Sequence, residues 1–191
     1  MTETSTPSAT DSERRRRVLD AALAVFGRFG FRKTSMDEVA RAADISRQGL
    51  YLYFSNKEDL FREAVTKMMA DGLAALDAEL AGEEPIDQRL IGAMKAWYGR
   101  SAGSANADEL FARSVDLLGD LMQRYGDAVL ERLTAAIAAS PLAPRLARRG
   151  LTPADAARTL NTLGGGLKHE ALSRPEFTAR LTAGVRLVTG V

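Results

Sequence analysis

At 191 residues, 46% of them apolar, the chain is long enough for one compact unit or two small ones around a sizeable core. Cysteine is absent and His169 is the single histidine, which excludes disulfides, thiolate metal sites and a His-rich metal cluster, so no cofactor is expected. The net charge of +1 points to no partner as a total, but its distribution does: from Ser12 to Lys57 ten Lys/Arg stand against five Asp/Glu, leaving the remainder mildly acidic.

Residues 1–12 are rich in Ser and Thr and lack the apolar stretch of a secretory signal, which reads as a flexible tail. No later run of about 18 apolar residues could span a bilayer, so a cytoplasmic protein with no membrane partner is expected. Ala, Leu, Arg and Glu dominate and no segment alternates with period two for long, which predicts an all-α fold. The first helix is expected from about Glu13 to Phe29, with Val18, Ala22, Val25, Phe26 and Phe29 on one face and Gly30 as its stop. Arg14 to Arg17 read either as a solvated face or as phosphate contacts, because four cations at a helix N-terminus oppose its dipole.

Ser35 with Glu38 forms a capping box ahead of Met36, Val39, Ala40 and Ala43. Asp44 and Ile45 make a turn, and Ser46 opens a short helix from Arg47 to Tyr51 with Leu50 pointing inward, a helix-turn-helix layout. Ser55 with Glu58 repeats the capping box and starts a long helix to about Ala81 that carries Leu60, Ala64, Met68 and Leu76. After the Gly82 to Pro85 break, helices are expected near Pro85 to Ser101, Ala107 to Tyr125 and Asp127 to Ala139, followed by a loop imposed by Pro141 and Pro144. Thr152 with Pro153 starts a helix to about Leu172, and Ser173, Pro175 and Glu176 start the last one. Each glycine of Gly164-Gly165-Gly166 costs about 1 kcal/mol against alanine inside a helix. Leu160, Leu163 and Leu167 around them, with Phe177, Leu181, Val185 and Val188 on the last helix, predict a close helix crossing at a dimer interface; a local helix break is the alternative.

In a helix-turn-helix the second helix enters the major groove while flanking groups grip phosphates. Arg47 and Gln48 are long enough to reach base edges, and Gly49 allows close backbone approach. Tyr51, Tyr53 and Lys57 follow as candidate phosphate ligands, with Lys33 and Ser35 on the other side. No nucleophile comes with its own base, since cysteine is absent and His169 has no evident partner pair, so an enzyme is not expected.

Phe26, Gly30, Thr34, Ser35, Val39, Ala40, Ala43, Ile45, Leu50, Tyr51, Phe54, Asn56, Lys57 and Leu60 together resemble the TetR family of bacterial regulators. The resemblance covers about Arg16 to Phe61, and the stretch from Gly49 to Leu60 (Gly-Leu-Tyr-Leu-Tyr-Phe-Ser-Asn-Lys-Glu-Asp-Leu) looks like the family's signature. Asp44 departs from the glycine usual at that turn, though aspartate tolerates a left-handed backbone. The resemblance implies a helix-turn-helix DNA-binding domain over residues 13–56 and a helical ligand-sensing and dimerisation domain over 57–191. It further implies a homodimer, usually a repressor, with the last two helices pairing across the dimer; the mechanism expected from that architecture is a palindromic DNA operator held by two recognition helices and released by a small-molecule effector in the body. Met94, Trp97, Tyr98, Phe111, Met122 and Tyr125 fall where family members form a ligand cavity; their character fits an apolar or aromatic effector, although such a stripe serves equally as plain core. His169 reads as a surface histidine near the dimer seam.

Overall fold

A computed structural model describes residues 9–99, 106–170 and 172–190, and all regular structure among them is helical. In chain order the helices are α1 (Ala9–Lys33), α2 (Met36–Ala42), α3 (Arg47–Tyr53), α4 (Lys57–Leu80), α5 (Ile86–Tyr98), α6 (Ala107–Ala138), α7 (Leu142–Ala147), α8 (Pro153–Leu167) and α9 (Arg174–Thr189). Of the expected tail, residues 1–8 lie outside the described residues, and Ala9 to Ser12 already belong to α1. Ser101, the expected end of the helix begun near Pro85, also lies outside them.

The buried side chains form two clusters. In the first, Val18, Ala22, Val25 and Phe26 of α1 pack with Val39 and Ala40 of α2, Leu50 of α3, and Leu60, Phe61, Ala64 and Val65 of α4. Phe29, expected on the buried face, is instead exposed with Arg28 stacked over its ring. Gly30 takes φ +81° and ψ 165°, a non-helical conformation glycine adopts without steric cost, so the regular helix stops there as expected and a short helical turn to Lys33 follows the kink. The kink turns Phe31 back into the core, where its ring lies 5.8 Å from Phe26 and 5.1 Å from Phe61. The cap of α4 is Asn56, one residue beyond the expected Ser55. Its side chain accepts from Asp59 N at 2.9 Å, while Ser55 N and Oγ both donate to the Asp59 carboxylate.

The second cluster joins α4 to α5 through α9, with Leu76, Leu90, Met94, Leu133, Ile137, Leu160 and Phe177 among its buried members. The two helices expected from Ala107 to Ala139 are one, bent at Leu118 (φ −139°), because Val129, Leu133 and Ile137 anchor the segment beyond Gly126 as a continuous stripe. The loop expected at Pro141 and Pro144 holds the short helix α7. Pro144 is in its first turn, where the missing N–H has no intrahelical acceptor, and Leu142 and Leu146 anchor it inward. The boxes at Thr152 with Asp155 and at Ser173 with Glu176 are both formed.

The expected interface stripe is corrected by this packing. Leu160, Leu167, Phe177, Leu181 and Val185 are buried in the chain's own core, and Leu163 and Val188 lie partly buried against it. Each helix has one apolar face; α8 turns its own toward α6, α9 and α5, and α9 turns its own toward α8 and α5. Nor do the glycines break α8. A Cβ on Gly164 would collide with the Tyr98 ring, so this glycine admits α5, whereas Gly165 and Gly166 face open space.

Candidate functional site

The helix-turn-helix is set by local chemistry. The Ser35 hydroxyl accepts from Glu38 N, and Glu38 accepts from Ser35 N at 2.7 Å and from its hydroxyl; these bonds hold the Glu38 carboxyl below its ordinary pKa. Asp44 takes the left-handed conformation, φ +54°. Ser46 then caps α3, its hydroxyl accepting from Gly49 N at 2.9 Å, and an added Cβ on Gly49 would lie 3.1 Å from that hydroxyl. Leu50 is fully buried, which fixes the rotation of α3 and leaves Arg47, Gln48, Tyr51 and Leu52 exposed.

Arg47 is paired with Asp37 at 3.1 Å and stacks over the Tyr51 ring, so its guanidinium lies across α2 and α3. Lys33 and Ser35 are exposed beside them. Leu52, absent from the sequence-based site, has 82% of its surface exposed; no periodic signal marks it, since i+2 from Leu50 belongs to neither face of the helix.

Tyr53 and Lys57 occupy a different setting from the one expected. The Tyr53 hydroxyl donates to Asp11 at 2.6 Å, the main reason its pKa is raised. The Lys57 ammonium donates to the carbonyls of Phe31 and Thr34, both at 2.9 Å, and lies over the Phe31 ring. It therefore clamps the corner between α1 and α2 from inside. Arg15 also turns inward, pairing with Glu63 at 2.5 Å and covering Phe54, while Arg16 pairs with Glu13.

A cavity of about 380 Å³ lies where the two clusters meet. Its walls come from α1 (Leu23, Ala24, Phe26, Gly27), α4 (Phe61, Val65, Met68, Met69, Gly72), α5 (Trp97, Tyr98), α6 (Leu110, Phe111, Ser114, Met122) and the end of α8 (Lys168, His169). Of the six expected lining residues it takes Trp97, Tyr98, Phe111 and Met122. Met94 is instead fully buried in the second cluster, and Tyr125 stays outside the lining with its ring 6.4 Å from Trp97. His169, expected at a dimer seam, is at the cavity with Nδ1 2.8 Å from Asp108 and its ring against Phe111. The Tyr98 hydroxyl donates to Asn161 at 2.6 Å, and burial pushes its pKa up to about 12. Gly72 makes room for the indole, since an added Cβ would lie 3.1 Å from Trp97.

The start of α6 is tied to the N-terminal unit. Asn106 Nδ2 donates to the carbonyls of Gly27 and Arg28, Glu109 accepts from Arg32 N at 3.1 Å, and Arg113 bridges Asp116 and Glu58. Among the described residues, no group of three or more His, Asp or Glu is placed to hold a metal ion, and no helix is long and apolar enough to cross a membrane.

Residues 18–64 match the family described as bacterial regulatory proteins, tetR family. The chain is similar to the uncharacterized HTH-type transcriptional regulator YfiR of Bacillus subtilis, 42% identical over 65 residues, which is 34% of this chain and 32% of that one. It is also similar to the HTH-type regulator AcrR of Shigella flexneri (35% identical, 39% and 34% of the chains) and to the HTH-type repressor KstR of Mycolicibacterium smegmatis (37% identical, 47% and 44%). The matches thus span 32% to 44% of the length of these relatives. In three dimensions the chain resembles a transcriptional regulator from Rhodococcus sp. Rha1, with a TM-score of 0.70 at 20% identity over 91% of this chain and 95% of that one. A TetR-like regulator from Rhodococcus sp. RHA1 gives 0.64 at 22% identity over 97% and 100%. At these identities the likeness is one of fold.

Proposed function

Because this chain belongs to the tetR family of bacterial regulatory proteins, we propose that it is a DNA-binding transcriptional regulator, a repressor that holds a palindromic operator as a homodimer and lets go when a small molecule fills the body cavity. The observation that carries the reading is the exposed face of α3, lying inside the matched segment and rotated outward by the burial of Leu50. An α-helix so presented fits the major groove. There Gln48 suits an adenine edge, and Arg47 would exchange Asp37 for a guanine edge. Tyr51 and Lys33 would reach phosphate oxygens, as would the hydroxyl of Ser35 once it gives up its bond to Glu38, and Leu52 would meet a thymine methyl. Tyr53 and Lys57 contribute by holding the corner on which these groups stand.

The dimer reading moves to the outer faces of α8 and α9. Leu187 is 79% exposed, Ala183 and Arg180 share its helical face, and Thr159, Thr162 and Gly166 line the outside of α8. Two copies joined there would set their α3 helices about 34 Å apart, one turn of DNA. The cavity supports effector control because α1 forms one wall of it and the start of α6 is bonded to the end of α1. A ligand that favours a different placing of α1 on α6 shifts the spacing of the two reading heads.

Selection of genomic fragments at a fixed salt concentration of about 100 mM tests the reading. Enrichment of a short palindrome by the wild type, lost with Arg47→Ala or Gln48→Ala, is expected. Even enrichment that neither substitution changes would leave only non-specific phosphate binding and overturn the proposal.

A further inference from the structure

We infer that the cavity selects a molecule with an apolar body ending in a single carboxylate, the carboxylate seated on the Lys168 ammonium at the end of α8. This rests on the reading of the cavity as the effector site, and it names the chemical class that site would take.

Apart from Tyr98 and Ser114, the lining contributed by α1, α4, α5 and α6 is apolar, and the end of α8 contributes Lys168 and His169. Phe26, Phe61, Met68, Met69 and Trp97 supply the apolar walls, and among the described lining residues there is no Asp or Glu. The hydroxyls in the lining already have acceptors: Tyr98 donates to Asn161, and Ser114 to the Leu110 carbonyl. Lys168 stands apart from these. Its ammonium lies 4.1 Å from the centroid of the Phe111 ring, itself a wall residue, and among the described residues no carboxylate is within ion-pairing distance of it. A ring face satisfies a cation only in part. The acid that acts on Lys168 from further off, Asp108, is held by His169 Nδ1 at 2.8 Å.

Burial lowers the pKa of Lys168, the partial attraction of Asp108 notwithstanding, so its charged form is under-compensated where it stands. A carboxylate arriving at the cavity would supply the missing opposite charge inside a poorly solvated site, where such a contact is stronger than at the surface. One ammonium matches one negative charge; a dianion such as a phosphate monoester would leave the second uncompensated among aromatic and methionine side chains. An alcohol or hydrocarbon of the same shape would fill the walls and leave the ammonium unpaired. The volume of about 380 Å³ lies toward the small end of small-molecule sites, which run from about 300 to 1,000 Å³.

Trp97 is the single tryptophan of the chain and lines the cavity, so its fluorescence reports occupancy directly. Two probe pairs that do not absorb with the indole separate charge from shape: octanoate against 1-octanol, and 3-cyclohexylpropanoate against 3-cyclohexyl-1-propanol. Each is titrated into wild type, Lys168→Met and Lys168→Gln, with far-UV circular dichroism and thermal midpoint confirming that all three are folded. In at least one pair the acid is expected to bind wild type about tenfold or more tighter than its alcohol, a ratio that falls to about one in both variants while the alcohol's affinity holds. An alcohol binding wild type as tightly as its acid, or an acid preference surviving both substitutions, overturns the carboxylate assignment and leaves the cavity standing as a ligand site. No response from any of the four probes, by fluorescence or by thermal midpoint, overturns the ligand site and the carboxylate assignment together.

Discussion

The N-terminal unit and the body are both helical and both buried around leucines, yet they differ in what joins their parts. In α1 to α3 the decisive bonds are short in sequence: Ser35 with Glu38, Ser46 with Gly49, and a single residue, Leu50, setting the rotation of α3. Its aromatic centre is tight, Phe26 lying edge-on to Phe61 at 5.0 Å. The body is assembled from α4, α5, α6, α8 and α9, whose contacting residues are far apart along the chain, and it meets the N-terminal unit across a cavity. Local bonds make a rigid presenter of side chains; distant helices make an enclosure whose shape depends on how they lean.

Core deletions give the largest effects that probe this difference. Leu50→Ala and Leu133→Ala each remove a fully buried leucine, one from each cluster, and each should destabilise its own unit by about 2–5 kcal/mol in urea unfolding. At temperatures where both variants stay folded, only Leu50→Ala should reduce DNA affinity; equal losses would mean that the two units are one cooperative block. Lys57→Met removes a charged donor from two carbonyls at the α1–α2 corner and should cost about 1.5–3 kcal/mol, seen in the same unfolding curves. If Lys57 served DNA phosphates alone, the substitution would leave stability untouched.

The glycines of α8 sharpen the comparison at a smaller scale. Gly164→Ala forces the Tyr98 ring aside and should cost about 1–3 kcal/mol, whereas Gly165→Ala, in open space, should gain up to about 1 kcal/mol of helix stability in the thermal midpoint. Loss of dimer with Gly165→Ala in sedimentation would place a partner helix on that face. The smallest effect is the acid response of the caps. Glu38 in the N-terminal unit and Glu176 in the body both have folded-state pKa values below the ordinary 4.5, so their contribution is complete above that pH and disappears as the pH falls through the lower folded-state values. Ser35→Ala and Ser173→Ala should each remove about 0.5–2 kcal/mol near pH 7, and the gap to wild type should narrow on acidification below 4.5. A gap that is constant with pH would show that the carboxylates add nothing to these caps.

The same division explains what could be read from the chain alone. The boxes at Ser35 and Ser173, the cap at Thr152, the left-handed Asp44 and the inward Leu50 were legible because each depends on neighbours within a few residues. Pro141 and Pro144 misled because a proline at a helix start is indistinguishable, without its anchors Leu142 and Leu146, from one that breaks a helix. The exposure of Arg47, Gln48 and Tyr51 on α3 was legible, but the inward turn of Lys57 was not, since only the folded corner brings carbonyls of Phe31 and Thr34 to its ammonium. The cavity was half legible. Trp97 and Phe111 announce themselves by type, while Leu23, Gly27, Met69 and Lys168 line it only because α1, α4 and α8 converge. The stripe on α8 and α9 was correctly seen as apolar and wrongly assigned to a partner, because periodicity reveals a buried face without saying which chain buries it.

Phe26 and Phe61 belong to two neighbourhoods at once, the aromatic centre of the N-terminal unit and the wall of the cavity. Whatever lodges in the cavity would therefore touch rings at the centre of the N-terminal unit. Occupancy would be felt as a change in the head's motional entropy as well as in its position, so that a ligand could tune operator affinity through damping alone, with little displacement for a crystal structure to record.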